Sequence, residues 1–415
     1  MNAPDVCITW LNVHGGVFHK LITLHERLTE AGLSCELLFS AGPPHGLKVG
    51  VDVPEALLPG LAARGIHFLP RAEVLQKAET SPARLLIADA HHDPDLPGLI
   101  ARARLRGVVT AQLATLLGDF TSHFADHLLL QHPLTLFFEL EYNHTRESHR
   151  FFQAKGIHFT GNLFFEPTVN TLVDSFASRE DFCAKYGIDS ARPLCLWLPN
   201  AVDARSAVYG QVLRMAGNVG LNLLVKLHPW EYAFKKHGTD TWGLGTTSDV
   251  LWNARAVDEP DGAWAYRFCD LAVMSTSATC LEMPFWGKPS VLLPSASHPG
   301  LMRAQARLVA DCSVSLDAVE QLPDVFSGPL PHFLPADYAS ACAQVRQDCS
   351  RDAYVQTVAA IETILAAPET AGHLSSPAAL RRLYDPFVSQ ELRASLSASR
   401  RLRYDAGRLL RRLTA

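Results

Sequence analysis

Residues 269–294 read CDLAVMSTSATCLEMPFWGKPSVLLP, and the order of residue types in this stretch decides the fold. The run from Leu271 to Met274 is short and apolar, which is typical of a buried strand. Hydroxyl residues follow, then a helical turn that contains Glu282, and Gly287 leads the chain into a second apolar run. Strand, turn, helix and strand in this order predict one unit of a parallel sheet.

The same alternation extends through most of the chain. The first part alternates apolar runs with helical patterns: VCITWLNV, VFHKLITLHERLTEAG, SCELLFS, RLLIADA, GVVTAQLAT and HLLLQHP. After a Gly-Asn turn at Gly161 the pattern restarts with PLCLWLP and LNLLVKLHP. We therefore predict an α/β protein of two doubly wound, Rossmann-like domains, residues 1–160 and 161–365, that face each other across a cleft. Ligands of open α/β sheets bind at the carboxyl ends of the strands, which places the predicted site in this cleft.

Composition agrees with a two-domain globular protein and excludes several classes. The chain has 415 residues, of which 48% are hydrophobic, and a net charge of -5 that gives no reason to expect nucleic acid as a partner. The start of the chain lacks the basic region of a secretory signal, and no apolar stretch is long enough for a membrane-spanning helix. The nine cysteines are scattered, which favours reduced thiols in a cytoplasmic protein.

Residues 366–415 differ from the rest and are predicted to form a basic helical tail. From Ala371 onward there are nine arginines against three acidic residues, and leucine recurs every three or four positions. A basic amphipathic helix can lie on an anionic membrane surface. A terminal helix packed on the first domain explains the same pattern, and the sequence leaves both interpretations open.

A second stretch, KLHPWEY at 226–232, carries a histidine where a strand ends. Alternation along the strand places Lys226 and His228 on one face, and Pro229 keeps His228 extended. An imidazole in this position can donate a hydrogen bond to an anionic ligand such as phosphate, although a histidine that caps a loop carbonyl explains it as well.

The hydroxyl residues of the first stretch suggest a complementary role. They lie at a strand-to-helix junction, where hydroxyl side chains and free backbone N–H groups can hold an anion: Ser275, Thr276 and Ser277. Glu282, about one turn further on, is placed to accept two hydrogen bonds from a vicinal diol such as a ribose. Together with Lys226 and His228 these residues predict one ligand site.

The stretch from about Gly161 to Pro294 resembles the nucleotide-binding domain of GT-B glycosyltransferases, on the motifs TGN, LLVKLHP, CDLAVMSTSATCLEM and GKPSVLLP. It is similar to the lipid-A disaccharide synthase and capsule or lipopolysaccharide transferase branch, and to the related CDP-glycerol glycerophosphotransferases. The resemblance implies that His228 meets the phosphate of a nucleotide-sugar donor, that the hydroxyl residues cradle it and that Glu282 holds the ribose. It implies no obligatory metal or cofactor.

The resemblance predicts transfer of a sugar from the donor to a cell-surface polysaccharide or lipid-linked acceptor. Gly15 and Gly16 open the first helix, where a backbone can approach a ligand closely. His14 beside them and Asp89 at the end of LLIADA are competing candidates for the general base that would deprotonate the acceptor. Two further acidic residues, Glu139 and Glu141, stay open as alternatives for that base.

One histidine pair has metal-ligand spacing but is a weak candidate. His123 and His127 are four positions apart, with no glutamate between them and no cysteine nearby. In a chain with 18 histidines, surface placement explains this spacing better than a metal site.

Three other functions remain open at the level of sequence. A CDP-polyol phosphotransferase shares the histidine-proline and serine-rich motifs. A non-hydrolysing UDP-sugar 2-epimerase shares the fold, although LWLPNAVDAR stands where the epimerases have a histidine-arginine and glutamate-asparagine segment. A catalytically inactive GT-B partner subunit is the third.

Overall fold

The computed structural model describes the parts of the chain that form the two sheets and most of the helices packed on them. The described residues are 3–11, 15–40, 55–89, 93–114, 125–137, 154–163, 166–167, 176–199, 212, 220–227, 255–258, 261–274, 279–293, 309, 312–321, 338–350, 352–367, 381–383 and 385–388.

The first sheet has seven parallel strands in the order β3-β2-β1-β4-β5-β6-β7. These strands are β1 (Val6–Trp10), β2 (Cys35–Ser40), β3 (Ile66–Leu69), β4 (Leu85–Asp89), β5 (Val109–Leu113), β6 (His127–Leu130) and β7 (Gly156–Phe159). β1 is buried along its whole length because alternate residues enter two cores: Ile8 and Trp10 on one face, Cys7 on the other.

The helices described between Gly15 and Phe137 are α1 (Gly15–Glu30), α2 (Leu58–Ala63), α3 (Arg71–Thr80), α4 (Leu96–Leu105) and α5 (Pro133–Phe137). α1 buries Val17, Leu21 and Leu28, whose helical spacing forms one apolar face. Gly32, with φ +83°, ends α1, and the Leu33 N–H donates to the Leu28 carbonyl at 2.9 Å as in a Schellman cap.

The second sheet has five parallel strands in the order β12-β11-β10-β8-β9. They are β8 (Leu194–Leu198), β9 (Asn222–Val225), β10 (Leu271–Met274), β11 (Ser290–Leu292) and β12 (Ser313–Ser315). The helices described after β7 are α6 (Arg179–Lys185), α7 (Gly262–Phe268), α8 (Thr279–Glu282), α9 (Tyr338–Ser350) and α10 (Ala353–Ala366). Short 3-10 helices occur at Glu55–Leu57, Met283–Trp286, Val319–Gln321 and Asp385–Phe387.

Two parallel-sheet α/β domains are therefore present, which confirms the predicted fold class. All strands of the first sheet precede residue 160 and all strands of the second follow it. The limits 1–160, 161–365 and 366–415 stay predictions, and the basic stretch 391–413 lies outside the described residues.

One helix packs on a different sheet from the one that the domain prediction implies. The predicted second domain includes residues 353–365, but α10 packs in the core of the first sheet. Ile361 and Ile364 share that core with Val6 and Ile8, and α10 contacts α1. An amphipathic pattern predicts that a helix buries one face, and it does not say which sheet covers that face. Chain order alone suggested the second domain.

The structure describes the side chains of eight cysteines, and all of these except Cys35 are buried. Among the described residues, no helix combines the length and apolar character needed to span a bilayer.

Candidate functional site

The strand orders define one switch point in each sheet. In the first sheet, β1 lies between β2, which follows it directly, and β4, which returns on the other side. In the second sheet, β8 lies in the same way between β9 and β10. Connections leave such a pair of strands in opposite directions, so a crevice opens outside their carboxyl ends, where ligands of this fold class bind.

The switch point of the first sheet contains one of the predicted bases. Asp89 is the last residue of β4, and its side chain is 0% exposed. The neighbouring strand supports it, because Gln112 Nε2 donates to the Asp89 carbonyl at 3.3 Å. Gly15 and Gly16 begin α1 on the other side of this switch point, as predicted, while His14 lies outside the described residues.

A partly buried cluster of three charged residues lies just before α4. Arg71 Nη2 donates to Asp93 at 2.6 Å and to Asp95 at 2.7 Å, and Asp93 is almost completely buried. These contacts fix the start of α4 to the start of α3.

The switch point of the second sheet contains Glu282, the final residue of α8. α8 is only one turn long because Pro284 has no N–H to continue the helical hydrogen bonds, and a 3-10 turn follows. Gly287, with φ +65°, closes this turn, where its N–H donates to the Pro284 carbonyl at 3.1 Å. The predicted strand, helical turn and following strand around Glu282 are thus confirmed, while the turn at residues 275–278 lies outside the described residues.

The positive charges of Lys20 and Lys226 act on Glu282. The residue as a whole is partly buried, and burial raises the pKa of its carboxyl, against which the two lysine charges act to lower it. A carboxylate near two cations can accept hydrogen bonds from a ligand while those cations attract the ligand's negative charge.

Lys226 reaches this position from the end of β9. Its N–H donates to the Trp197 carbonyl at 2.9 Å, which holds the residue beside β8 after the strand has ended. The Lys226 ammonium lies 5.3 Å from the centroid of the buried Tyr266 ring. The Tyr266 hydroxyl is 3.5 Å from Thr279 Oγ1, so α7 and α8 meet beside the lysine.

Lys20 approaches the same carboxylate from the first domain. It lies on α1, is 8% exposed, and its ammonium donates to the Glu166 carbonyl. Burial lowers its pKa to about 8, against the opposing effect of the negative charges of Glu282 and Glu166. Sequence reasoning missed Lys20, because a lysine inside an amphipathic helix is indistinguishable from a solvated surface residue until the domains are placed together.

The structure therefore brings Lys226 and Glu282 together, as predicted, and adds Lys20. The other predicted ligand residues, His228, Ser275, Thr276 and Ser277, lie outside the described residues, as do Glu139 and Glu141.

The histidine pair that was considered for metal binding is partly described. His123 lies outside the described residues, and His127 belongs to β6, so the two do not share a helical turn. His127 Nδ1 instead lies 3.3 Å from His158 Nε2 on β7. No group of three or more potential metal ligands occurs among the residues that the structure describes.

No protein-family model matches the sequence, and no curated protein matches it at the significance required. Solved structures resemble the chain in three dimensions. A putative UDP-N-acetylglucosamine 2-epimerase from Listeria monocytogenes has a TM-score of 0.54 at 12% identity, over 89% of this chain and 99% of that one.

Other similar structures include a transferase and a further epimerase. The spinosyn forosaminyltransferase has a TM-score of 0.51 at 13% identity, over 88% of this chain and 100% of its own. The UDP-GlcNAc 2-epimerase from Neisseria meningitidis, solved with UDP-GlcNAc, has a TM-score of 0.51 at 10% identity, over 87% and 100%. These likenesses define the fold, and the chain has the GT-B architecture.

Proposed function

We propose that this protein is a GT-B glycosyltransferase that transfers a sugar from a nucleotide-activated donor to a cell-surface polysaccharide or lipid-linked acceptor. The observation that carries the proposal is the half-buried Glu282 at the switch point of the second sheet, within the electrostatic reach of Lys20 and Lys226. In this proposal Glu282 accepts hydrogen bonds from the ribose hydroxyls of the donor, and the lysines attract its phosphates.

The remaining predicted residues complete the proposed reaction. In this proposal His228 and the hydroxyl residues 275–277, which adjoin Lys226 and α8 in sequence, contact the donor phosphate. His14 or Asp89 acts as the general base that takes the proton of the acceptor hydroxyl while the nucleotide departs from the opposite side. Electrostatic stabilisation of the departing phosphate then lowers the barrier, and no metal or other cofactor is invoked.

The proposed site of action is the cytoplasmic face of a membrane, where a lipid-linked acceptor would be found. This part rests on the basic stretch 391–413 and its leucine spacing. Deletion of residues 386–415 would then weaken binding to anionic vesicles, and unchanged vesicle binding would contradict a peripheral role.

A non-hydrolysing UDP-sugar 2-epimerase is the second candidate. It is favoured by the structural likeness to epimerases at TM-scores of 0.54 and 0.53, and disfavoured by LWLPNAVDAR. The two activities differ in their need for an acceptor, since an epimerase converts the nucleotide sugar alone and a transferase does not.

The first experiment is therefore a nucleotide screen followed by turnover assays. UDP, GDP, CDP and CMP sugars are tested for an increase in melting temperature, because a ligand that binds only the folded state stabilises it. The best donor is then incubated with and without acceptor. Conversion without acceptor identifies the epimerase, CMP release with polyol phosphate in the product identifies the CDP-polyol transferase, and binding without turnover supports the inactive partner subunit.

Glu282→Ala tests the proposed donor site directly. We expect donor-dependent transfer to fall at least about tenfold, on the order of 1.4 kcal/mol of lost transition-state stabilisation. Glu30→Ala is a suitable control, because Glu30 is exposed at the end of α1 and pairs only with Arg27 among the ion pairs described. Wild-type kinetics for Glu282→Ala would remove the carboxylate from the proposed site.

A further inference from the structure

Gly262 begins α7 and lies directly under the side chain of Lys226. A Cβ atom added to Gly262 would lie 2.7 Å from Lys226 Cε and 3.6 Å from Lys226 Cδ. Carbon atoms that are not bonded pack at about 3.5–4.0 Å, so the present path of the lysine leaves no room for even a methyl group. The lysine stem therefore passes through a slot that exists because residue 262 lacks a side chain.

The slot determines where the lysine charge lies. Beyond Gly262 the ammonium is 5.3 Å from the centroid of the Tyr266 ring, one helical turn further along α7. The same ammonium is near enough to Glu282 for its charge to lower the pKa of that carboxyl, whose burial otherwise raises it. A shift of the stem by an ångström or more would change the position of the charge relative to both groups.

The slot is held in place from outside α7. Asp261, the residue before Gly262, is buried and accepts hydrogen bonds from Lys185 Nζ at 2.7 Å and from the Tyr186 hydroxyl. That hydroxyl in turn accepts from the Asp258 N–H at 3.0 Å. The start of α7 is thus fixed to the end of α6 by partly buried polar contacts.

The end of β9, just before Lys226, is hydrogen-bonded to the residues that precede α7. The Val225 N–H donates to the Arg255 carbonyl at 3.0 Å, and the Val257 N–H donates to the Val225 carbonyl at 2.8 Å. The two sides of the slot, the end of β9 and the start of α7, are therefore held at a defined separation.

We propose that Gly262 is a positioning residue for donor recognition: the slot at Gly262 aims the Lys226 ammonium at the phosphates of the nucleotide, beside the carboxylate of Glu282. This inference rests on the proposed function and deepens it, because it names the feature that sets the phosphate contact. Gly262 itself touches no ligand and acts through Lys226.

Gly262→Ala is the informative variant. The atom it displaces is near the end of a flexible side chain, and residue 262 has a helical backbone that alanine adopts readily, so we expect the melting temperature to stay within about 3 °C of wild type. Gly60→Ala in α2 is the matched control, since a Cβ added there would meet nothing within 4 Å.

Binding is measured by calorimetry with UDP, GDP or CDP, whichever the wild-type protein binds best, and with the matching nucleoside. We expect Gly262→Ala and Lys226→Met each to weaken diphosphate binding about tenfold, as for loss of one charge-assisted hydrogen bond, with little change for the nucleoside. The double variant should be no weaker than Lys226→Met alone, because both changes remove the same contact. Wild-type affinity in Gly262→Ala, or additive losses in the double variant, would overturn the inference.

A ligand-free measurement separates this inference from the proposed function. Reductive methylation followed by mass spectrometry reports the accessibility of Lys226, which should change at least about twofold in Gly262→Ala and not in Gly60→Ala if the ammonium leaves its packed position. Unchanged labelling would show that Gly262 does not set the position of Lys226, whether or not the protein binds nucleotide. Absence of nucleotide binding by the wild-type protein, together with altered labelling, would reject the donor function and this phosphate role but not the packing of Lys226 over Gly262.

Discussion

The switch points of the two sheets occupy equivalent topological positions and have different electrostatics. In the first sheet Asp89 is 0% exposed, whereas in the second Glu282 is partly buried as a residue and its carboxyl is affected by the positive charges of Lys20 and Lys226. Topology places a crevice at both, and the side chains decide what each crevice can hold. In the proposed function the second holds the hydroxyl groups and phosphates of the donor, and the first contains the general base.

The helices that follow the two switch points differ in length and in the side chain that each contributes. α1 is 16 residues long and contributes Lys20 from its second turn toward the other domain. α8 is a single turn and places Glu282 at its end. The proposed donor site is therefore formed by side chains from both domains and is incomplete in either one alone.

The largest expected effect concerns the first switch point. His14 and Asp89 are competing candidates for one general base, so either His14→Ala or Asp89→Asn should lower kcat by about a hundredfold or more, the usual contribution of such a base. Donor affinity should stay unchanged in both variants. Kinetics and calorimetry on both variants check this, with melting temperature as a control for the buried Asp89. Unchanged kcat in both variants would contradict a general base at the first switch point and would make Glu139 and Glu141 the next candidates.

A second prediction concerns the buried cation that joins the two domains. Burial lowers the Lys20 pKa to about 8 from its ordinary 10.5. Between these values the unfolded chain binds more protons than the folded one, so stability rises with pH and the cost of burying the charge is largest below pH 8. Between pH 8 and pH 10.5 the free energy of unfolding of the wild type should therefore rise by up to about 3 kcal/mol relative to that of Lys20→Met.

Urea unfolding at several pH values measures this difference. Groups that titrate alike in both proteins cancel in the comparison, and Lys77→Met, which removes an exposed lysine, should follow wild type. Parallel pH profiles for wild type and Lys20→Met would show that Lys20 is not buried as a charge at the domain contact.

The smallest expected effect lies at the opposite, amino end of the second sheet. Arg179 donates to both oxygens of Asp270, at 3.0 and 2.7 Å, and the Leu194 N–H donates to the same carboxylate at 2.7 Å. Burial alone would raise the pKa of Asp270, but these hydrogen bonds outweigh it and lower that pKa. The hydrogen bonds to the ionised carboxylate therefore stabilise the folded state above the ordinary carboxyl pKa, and this stabilisation is lost as the pH falls.

Arg179→Met should accordingly lower the free energy of unfolding by about 1 kcal/mol and move acid unfolding to higher pH, while KM and kcat stay unchanged at permissive temperature. Acid titration followed by circular dichroism and steady-state kinetics test both parts. A large loss of activity would show that the charges at this end of the sheet also serve the site, and the contrast between the two ends would disappear.

The sequence predicted the unit around Glu282 well because its signals are local. An apolar run, a helical turn and a glycine each constrain the backbone at their own positions, and the structure confirms these three. Prediction was poorer for α10, whose amphipathic pattern showed that one face is buried but not that the first sheet covers it. It failed for Lys20, which no local pattern distinguishes from a surface lysine.

The sequence by itself determined the α/β class, the parallel strands and the presence of Lys226 and Glu282 at strand and helix ends, because alternation and turn chemistry act over a few residues. Only the tertiary structure decided that Lys20 of one domain faces Glu282 of the other, and that Lys226 crosses α7 where Gly262 has no side chain. These contacts depend on how the sheets and helices pack. They join residues that are too far apart in the sequence for a local pattern to predict them.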